Sequence, residues 1–120
     1  MTAPTLTRVI VSVADLERAL AFYDGVLGLH QKIAPPGFAM LTMGSGPGAV
    51  ELMLHERTPR PSMAGVALTV RVPDVDRTTQ AAQALGCTII DRAADQPWGE
   101  RQAVLTDPDG HVICLSSPLA

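Results

Sequence analysis

Val9, Val11 and Val13 alternate with Arg8, Ile10 and Ser12. This period-two pattern predicts a strand over Thr7 to Val13 with one face in a core. From Asp15 the apolar positions change to helical spacing, at Leu16, Ala19, Leu20, Phe22, Tyr23, Val26 and Leu27. Gly28 is placed to stop that helix with a left-handed cap. His30 to Ala34, Phe38 to Met43 and Ala49 to His55 read as three further short strands. Pro35-Pro36-Gly37 and Gly44-Ser45-Gly46-Pro47-Gly48 supply the turns between them. The first unit is therefore strand, helix, three strands.

Glu56 to Ala64, with Pro59 and Pro61, reads as a connector, after which the pattern restarts. Val66 to Val72 predicts a strand, and Asp74 to Leu85 a helix with a thinner apolar stripe of Val75, Ala82 and Leu85, stopped at Gly86. Thr88 to Arg92 and Arg101 to Thr106 predict strands around a loop, Ala93 to Glu100, that carries Trp98. Asp107-Pro108-Asp109-Gly110 is a turn, since proline presets one φ and glycine supplies a positive one. His111 to Ser116 predicts the closing strand.

The restart is also written in the residues. Val13-Ala14-Asp15-Leu16-Glu17-Arg18 returns 59 positions later as Val72-Pro73-Asp74-Val75-Asp76-Arg77. Each aspartate follows a strand and opens a helix, where its carboxylate can accept from unpaired first-turn amides. Glu51-Leu52 likewise corresponds to Cys114-Leu115, each pair following a glycine-bearing turn. The expected organisation is one domain, 1–120, with module 1 at 1–57, a linker at 58–64 and module 2 at 65–120.

Composition narrows the partners. A net charge of −3 with interspersed signs offers no basic stripe for nucleic acid, and 3% aromatic residues leave few platforms for stacking bases. No apolar run approaches a membrane span, and Met1-Thr2-Ala3-Pro4-Thr5 lacks the basic and apolar start of a signal peptide. Cys87 and Cys114, both in apolar surroundings, read as free thiols of a cytoplasmic protein. No Ser/His/Asp arrangement is recognisable, and Gly44 to Gly48 precedes a strand, so it is a turn and no phosphate cradle. No catalytic residue is assigned.

The stretch Val13 to Tyr23, with Val26-Leu27-Gly28-Leu29 after it, and Trp98-Gly99-Glu100-Arg101 running to Asp107-Pro108-Asp109-Gly110-His111, resembles the vicinal oxygen chelate superfamily. That is the glyoxalase I, bleomycin-resistance and extradiol dioxygenase group. The resemblance implies an α+β fold of two βαβββ modules whose curved sheets form a cleft. It also implies metal ligands on the first and last strands of each module. Transferred by position, these are Arg8, Glu51, Ala67 and Cys114, of which Glu51 alone is a usual ligand there. An arginine stays protonated and does not bind metal, so the expectation is a site without a metal and a chain without a cofactor.

Two readings of Arg8 and Glu51 remain open at this level. The guanidinium could stand in for the metal's charge and leave donors for an acidic or carbonyl-bearing ligand. Alternatively, the two form an ion pair with no ligand role. Trp98 could stack on a planar ligand or cover the sheet end, and Arg101 could add a donor. Met40 and Met53 would line an adaptable apolar wall. His30, His55 and His111 form no ligand cluster by spacing, although His55 shares strand parity with Glu51 and leaves a non-standard metal site open. The functional expectation is a metal-independent small-molecule binding protein resembling the antibiotic-sequestering branch, its ligand held in the cleft. The alternative is a metal-dependent lyase, isomerase or dioxygenase of the glyoxalase type. Exposed sheet edges and apolar faces point to a homodimer.

Overall fold

Two four-stranded mixed sheets, each with one helical segment on one face, make up the computed structural model. It describes residues 5–62 and 65–119. The reading of the first four residues, the linker residues Met63 and Ala64, and the last position of module 2 lie outside the described residues. The chain divides between Pro59 and Arg60 into two compact units, and each is one βαβββ module. Among the described residues no helix is long and apolar enough to cross a membrane.

In the first unit, β1 (Arg8–Val13) is followed by α1 (Leu16–Leu20), then β2 (His30–Ile33), β3 (Phe38–Met43) and β4 (Val50–Glu56). The sheet order is β1-β4-β3-β2, with β1 parallel to β4 and the other neighbours antiparallel. One face carries Val11, Val13, Ala39, Leu41, Leu52 and Leu54, buried together with Ala19, Phe22 and Tyr23 of the helical segment. Alternation alone puts the next residues, Arg8, Ile10, Met40, Glu51 and Met53, on the opposite face.

The helix departs from the continuous α-helix expected through Leu27. After Leu20 it widens into a π-helical stretch, Ala21–Val26, in which the Leu27 amide donates to the Phe22 carbonyl at 2.9 Å. Gly25, a weak helix former, lies in the widened stretch. Phe22 and Tyr23, adjacent in sequence, are both fully buried and meet edge to face with ring centres 4.9 Å apart. Gly28 then takes φ +79°, the left-handed value predicted for it.

The second unit repeats the plan with β5 (Leu68–Arg71), α2 (Val75–Ala84), β6 (Ile89–Asp95), β7 (Glu100–Thr106) and β8 (Val112–Pro118), in the order β5-β8-β7-β6. Both capping aspartates act as the repeat predicts. Asp15 Oδ1 accepts from the Arg18 amide at 3.0 Å, and Asp74 Oδ1 from the Arg77 amide at 3.1 Å. The core of this unit is Val70, Val72, Ala103, Leu105, Ile113 and Leu115, with Val75 and Ala82 from the helix. Leu85, placed in that stripe by spacing, is exposed, because the helix ends at Ala84 and its stripe closes at Ala82.

Two further boundaries move. The first strand of this unit begins at Leu68, where pairing with Ile113 starts, so Val66 and Ala67 precede it and are exposed. The expected loop Ala93 to Glu100 shrinks to 96–99, because β6 and β7 pair out to Asp95 and Arg101. The Asp107 turn forms as predicted. Its buried carboxylate Oδ1 accepts from the amides of Asp109 and His111, both at 2.9 Å.

Candidate functional site

On the face of the first sheet opposite its helix, strand pairing orders the side chains into rows. Arg8 pairs with Glu51, Glu51 with Thr42, and Thr42 with His30, which makes one polar row across all four strands. The next row is Ile10, Met53, Met40 and Ile33, apolar from edge to edge. Ile10 and Ile33 at its ends are 53% and 52% exposed. The third row holds Ser12, His55 and Phe38, and the Arg57 Nε donates to Ser12 Oγ at 2.7 Å.

Glu51 is the centre of the polar row. Arg8 Nη2 lies 3.0 Å from its Oε1, and Lys32 Nζ 3.0 Å from its Oε2. Lys32 reaches this face by the same alternation as His30, and the skip in the β2–β3 register between Gln31 and Ile33 brings Ile33 onto it as well, opposite Met40. The hydrogen bond from Lys32, then that from Arg8, holds the Glu51 carboxyl below the ordinary glutamate value of 4.5, against a smaller opposing effect of desolvation. All three side chains are partly open to solvent, at 46% for Arg8, 50% for Lys32 and 29% for Glu51. The cluster is thus net positive by one charge, and each cation retains N–H donors beyond the one it gives to Glu51.

Lys32 was not singled out from the sequence. It shares strand parity with His30, and that parity was the available signal. Its meeting with Glu51, 19 residues on, depends on how the strands pair.

The equivalent rows of the second unit carry other chemistry. The 59-residue repeat brings Ile10 onto Thr69, and Thr69 faces Cys114 as Ile10 faces Met53. Cys114 therefore occupies the position of Met53, and Val112 that of Glu51. The correspondence drawn from the Glu-Leu and Cys-Leu pairs is out by two residues, because pairing with the first strand, and no local likeness, sets register. Cys114 is buried, and Gln102 Nε2 donates toward its Sγ at 2.8 Å. Ala67 stands before the ladder begins.

Trp98, 61% exposed in the tight β6–β7 turn, borders a depression of about 420 Å³ with Gln96, Gln102, Val104, Asp91 and Arg92. Arg101 lies on the other, helix-bearing side of the sheet. Its Nε and Nη2 grip Asp76 in the first turn of α2 at 2.8 and 2.9 Å, and Nη1 grips Asp95 at 2.9 Å. These contacts hold the Asp76 carboxyl below its ordinary range. The fork ties a helix start to a hairpin and leaves little for a ligand.

The donor set does not fit a divalent cation. A metal site needs several histidine or carboxylate ligands. Both Glu51 oxygens here already accept from fixed positive charges. His55 lies four residues along β4 from Glu51, roughly 13 Å at strand rise, so the two cannot share an ion. Among the described residues no group of three or more His, Cys, Asp and Glu is placed to hold a metal.

Two βαβββ modules with polar and apolar rows on an open sheet face define the class, and comparison with known proteins gives the family. The chain belongs to the Glyoxalase/Bleomycin resistance protein/Dioxygenase superfamily, whose model matches residues 5–115. An uncharacterized protein of Mycobacterium bovis is 38% identical over 60 residues, which cover 48% of this chain and 40% of that protein. The chain thus spans under half the length of that relative. Metallothiol transferase FosB of Lysinibacillus sphaericus is 26% identical over 115 residues, covering 92% of this chain and 80% of FosB. Among solved structures, a glyoxalase/bleomycin resistance protein/dioxygenase family enzyme from Burkholderia phytofirmans superposes with a TM-score of 0.78 at 24% identity. That match covers 97% of this chain and all of the other, and it supports the fold.

Proposed function

We propose that this chain binds a small molecule without a metal ion, on the open face of its first sheet, and holds it without converting it. The observation that supports this is the state of Glu51, whose two carboxylate oxygens each accept from a cation at 3.0 Å. A divalent ion at Glu51 would have to displace Lys32 and Arg8 and then sit beside both like charges. The guanidinium cannot lose its proton to relieve that repulsion. Arg8 and Glu51 form the polar end of the binding face, and Met40 and Met53 its adaptable apolar floor. Trp98 offers an exposed planar surface on the second unit, with Gln102 in the same depression, and Cys114 is buried behind Gln102. Arg101 and Ala67, named from the resemblance, have no part in this reading. Holding a compound requires shape and complementary charge and no catalytic base, as in the antibiotic-sequestering proteins the sequence resembles.

The test is metal content. Purified protein, dialysed against Zn, Mn, Ni and Fe in turn, is expected to retain no stoichiometric metal by elemental analysis. A melting temperature unchanged by each ion should accompany that result. One equivalent of any metal, lost in Glu51→Gln, would overturn the proposal.

A second reading has one observation in its favour, the likeness to FosB along 92% of the chain. On that reading the protein is a metal-dependent enzyme, a thiol transferase or a lyase, isomerase or dioxygenase of the glyoxalase type. The same metal analysis separates the two. We also infer a homodimer, supported by β1 and β2, and β5 and β6, being edge strands of their sheets. Light scattering at the 12.6 kDa of one chain would overturn it.

A further inference from the structure

Two cations converging on one carboxylate, beside an apolar row that crosses a whole sheet, select a ligand by charge and shape together. The geometry points to a small planar carboxylate as the ligand class, its anionic group at Arg8 and Lys32 and its apolar body lying on Ile10, Met53, Met40 and Ile33. This inference rests on the binding reading above.

Charge comes first. Arg8 and Lys32 already bind a carboxylate, that of Glu51, with Nη2 and Nζ each 3.0 Å from an oxygen. One internal negative charge leaves one positive charge over. Arg8 keeps four further N–H donors and Lys32 two, in side chains about half exposed. A second carboxylate can therefore accept from the remaining donors of both cations, and Arg8, which gives Glu51 only its Nη2, still has a pair of N–H groups for a bidentate contact. A cationic ligand would be repelled, and a neutral one would leave the surplus charge unmatched. His30, next to Thr42 in the same row, adds no negative charge.

Shape follows from register. Adjacent rows on one face are two residues apart, roughly 7 Å along the strands, and four strands span roughly 14 Å across. A carboxylate in the polar row thus carries its body directly over the apolar row. That body is flat, since the row is a sheet surface, and about the size of two fused rings. Ile10 and Ile33, each more than half exposed, are large apolar side chains whose water such a body would displace.

The test uses 2-naphthoate and its uncharged isostere 2-naphthamide, followed in methyl NMR spectra at Ile10, Met40 and Met53. 2-Naphthoate is expected to shift these methyls with a Kd about tenfold below that of 2-naphthamide, a margin that narrows with added salt. In Arg8→Gln with Lys32→Gln, 2-naphthoate should fall to the affinity of the amide. In Glu51→Gln the internal competitor loses its charge, and 2-naphthoate should bind several-fold tighter. That gain of binding cannot come from a variant that merely fails to fold. Equal affinities for the two compounds, or weaker naphthoate binding in Glu51→Gln, would overturn the anion class while leaving binding at the face intact. No shift at these methyls with either compound would overturn the site itself. The metal-free reading fails separately, by stoichiometric metal in the purified protein.

Discussion

Lys32 Nζ lies 3.0 Å from Glu51 Oε2, although β2 and β4 are not neighbours and β3 runs between them. The residue in between is Thr42, paired with Glu51 on one side and with His30 on the other. Two strand spacings are roughly 9.6 Å, a gap that an extended lysine stem crosses when the intervening side chain is short. The contact makes Glu51 the shared partner of an edge strand on each side of the sheet.

Glu51 should titrate below the ordinary 4.5, with Lys32 as the larger cause and Arg8 the second. Lys32→Ala should therefore raise its midpoint more than Arg8→Ala in carbon-detected NMR. The sign for stability follows. A carboxyl whose folded value is depressed stabilises the fold above its unfolded value, and that contribution is lost as pH falls through the lower folded one. The stability difference between the native chain and Glu51→Gln should be largest near neutrality and vanish in strong acid. A midpoint at or above 4.5 would remove the cluster from any functional account.

Each helix start is predicted to depend on its aspartate. Asp15→Ala and Asp74→Ala remove the acceptors of the Arg18 and Arg77 amides and should each cost about 1 kcal/mol. Urea denaturation read by circular dichroism measures both. Asn at either position should restore most of the loss, since it caps nearly as well.

The two faces of the first sheet should respond oppositely to substitution. Leu54→Ala, at a fully buried position, is expected to destabilise by about 2–5 kcal/mol. Ile10→Ser, on the open face, should stay within about 0.5 kcal/mol of the native chain while abolishing naphthoate binding. A large stability loss from Ile10→Ser would mean that the open face is packed in solution, and would favour a second copy as its occupant.

Cys87 should be inert in the folded chain. Burial, with the Asp107 charge nearby, pushes its thiol up to about 11. At pH 8 the thiolate is then on the order of one molecule in a thousand. Alkylation by iodoacetamide, located by mass spectrometry, should be slow until the chain is unfolded. Rapid labelling under native conditions would show that the core around Cys87 opens readily.

Much of this fold is local in origin and was legible from residues close together in the chain. The alternation of Val9, Val11 and Val13, the spacing from Leu16 to Leu27, the Asp15 and Asp74 caps, and the stops at Gly28 and Gly86 each depend on conformational preferences within a few positions. They determined two βαβββ units and which face of the first strand is buried. The meeting of Arg8 with Glu51 was expected only through the family resemblance, which implies facing positions on the first and last strands of a module. Local periodicity did not put those strands side by side, and the β1–β4 pairing does.

Tertiary structure decided what depends on register between distant segments. A shift of two residues preserves the face and changes the row, so periodicity could not tell whether Cys114 stands at the position of Glu51 or of Met53; pairing with β5 decided it. The skip after Gln31 exists only where β2 meets β3 and puts Ile33 into the row of Met40, while a lysine with no sequence signal beyond its parity became the second cation on Glu51 by reaching across β3. Arg101 has the residue type of a ligand donor, yet one strand position turns it toward α2 and into the grip of Asp76 and Asp95. Sequence periodicity specifies sides because side-chain direction is a property of each residue's own backbone. Neighbours across a sheet come from hydrogen bonds between strands that are tens of residues apart, and those form only when the whole module closes on its core.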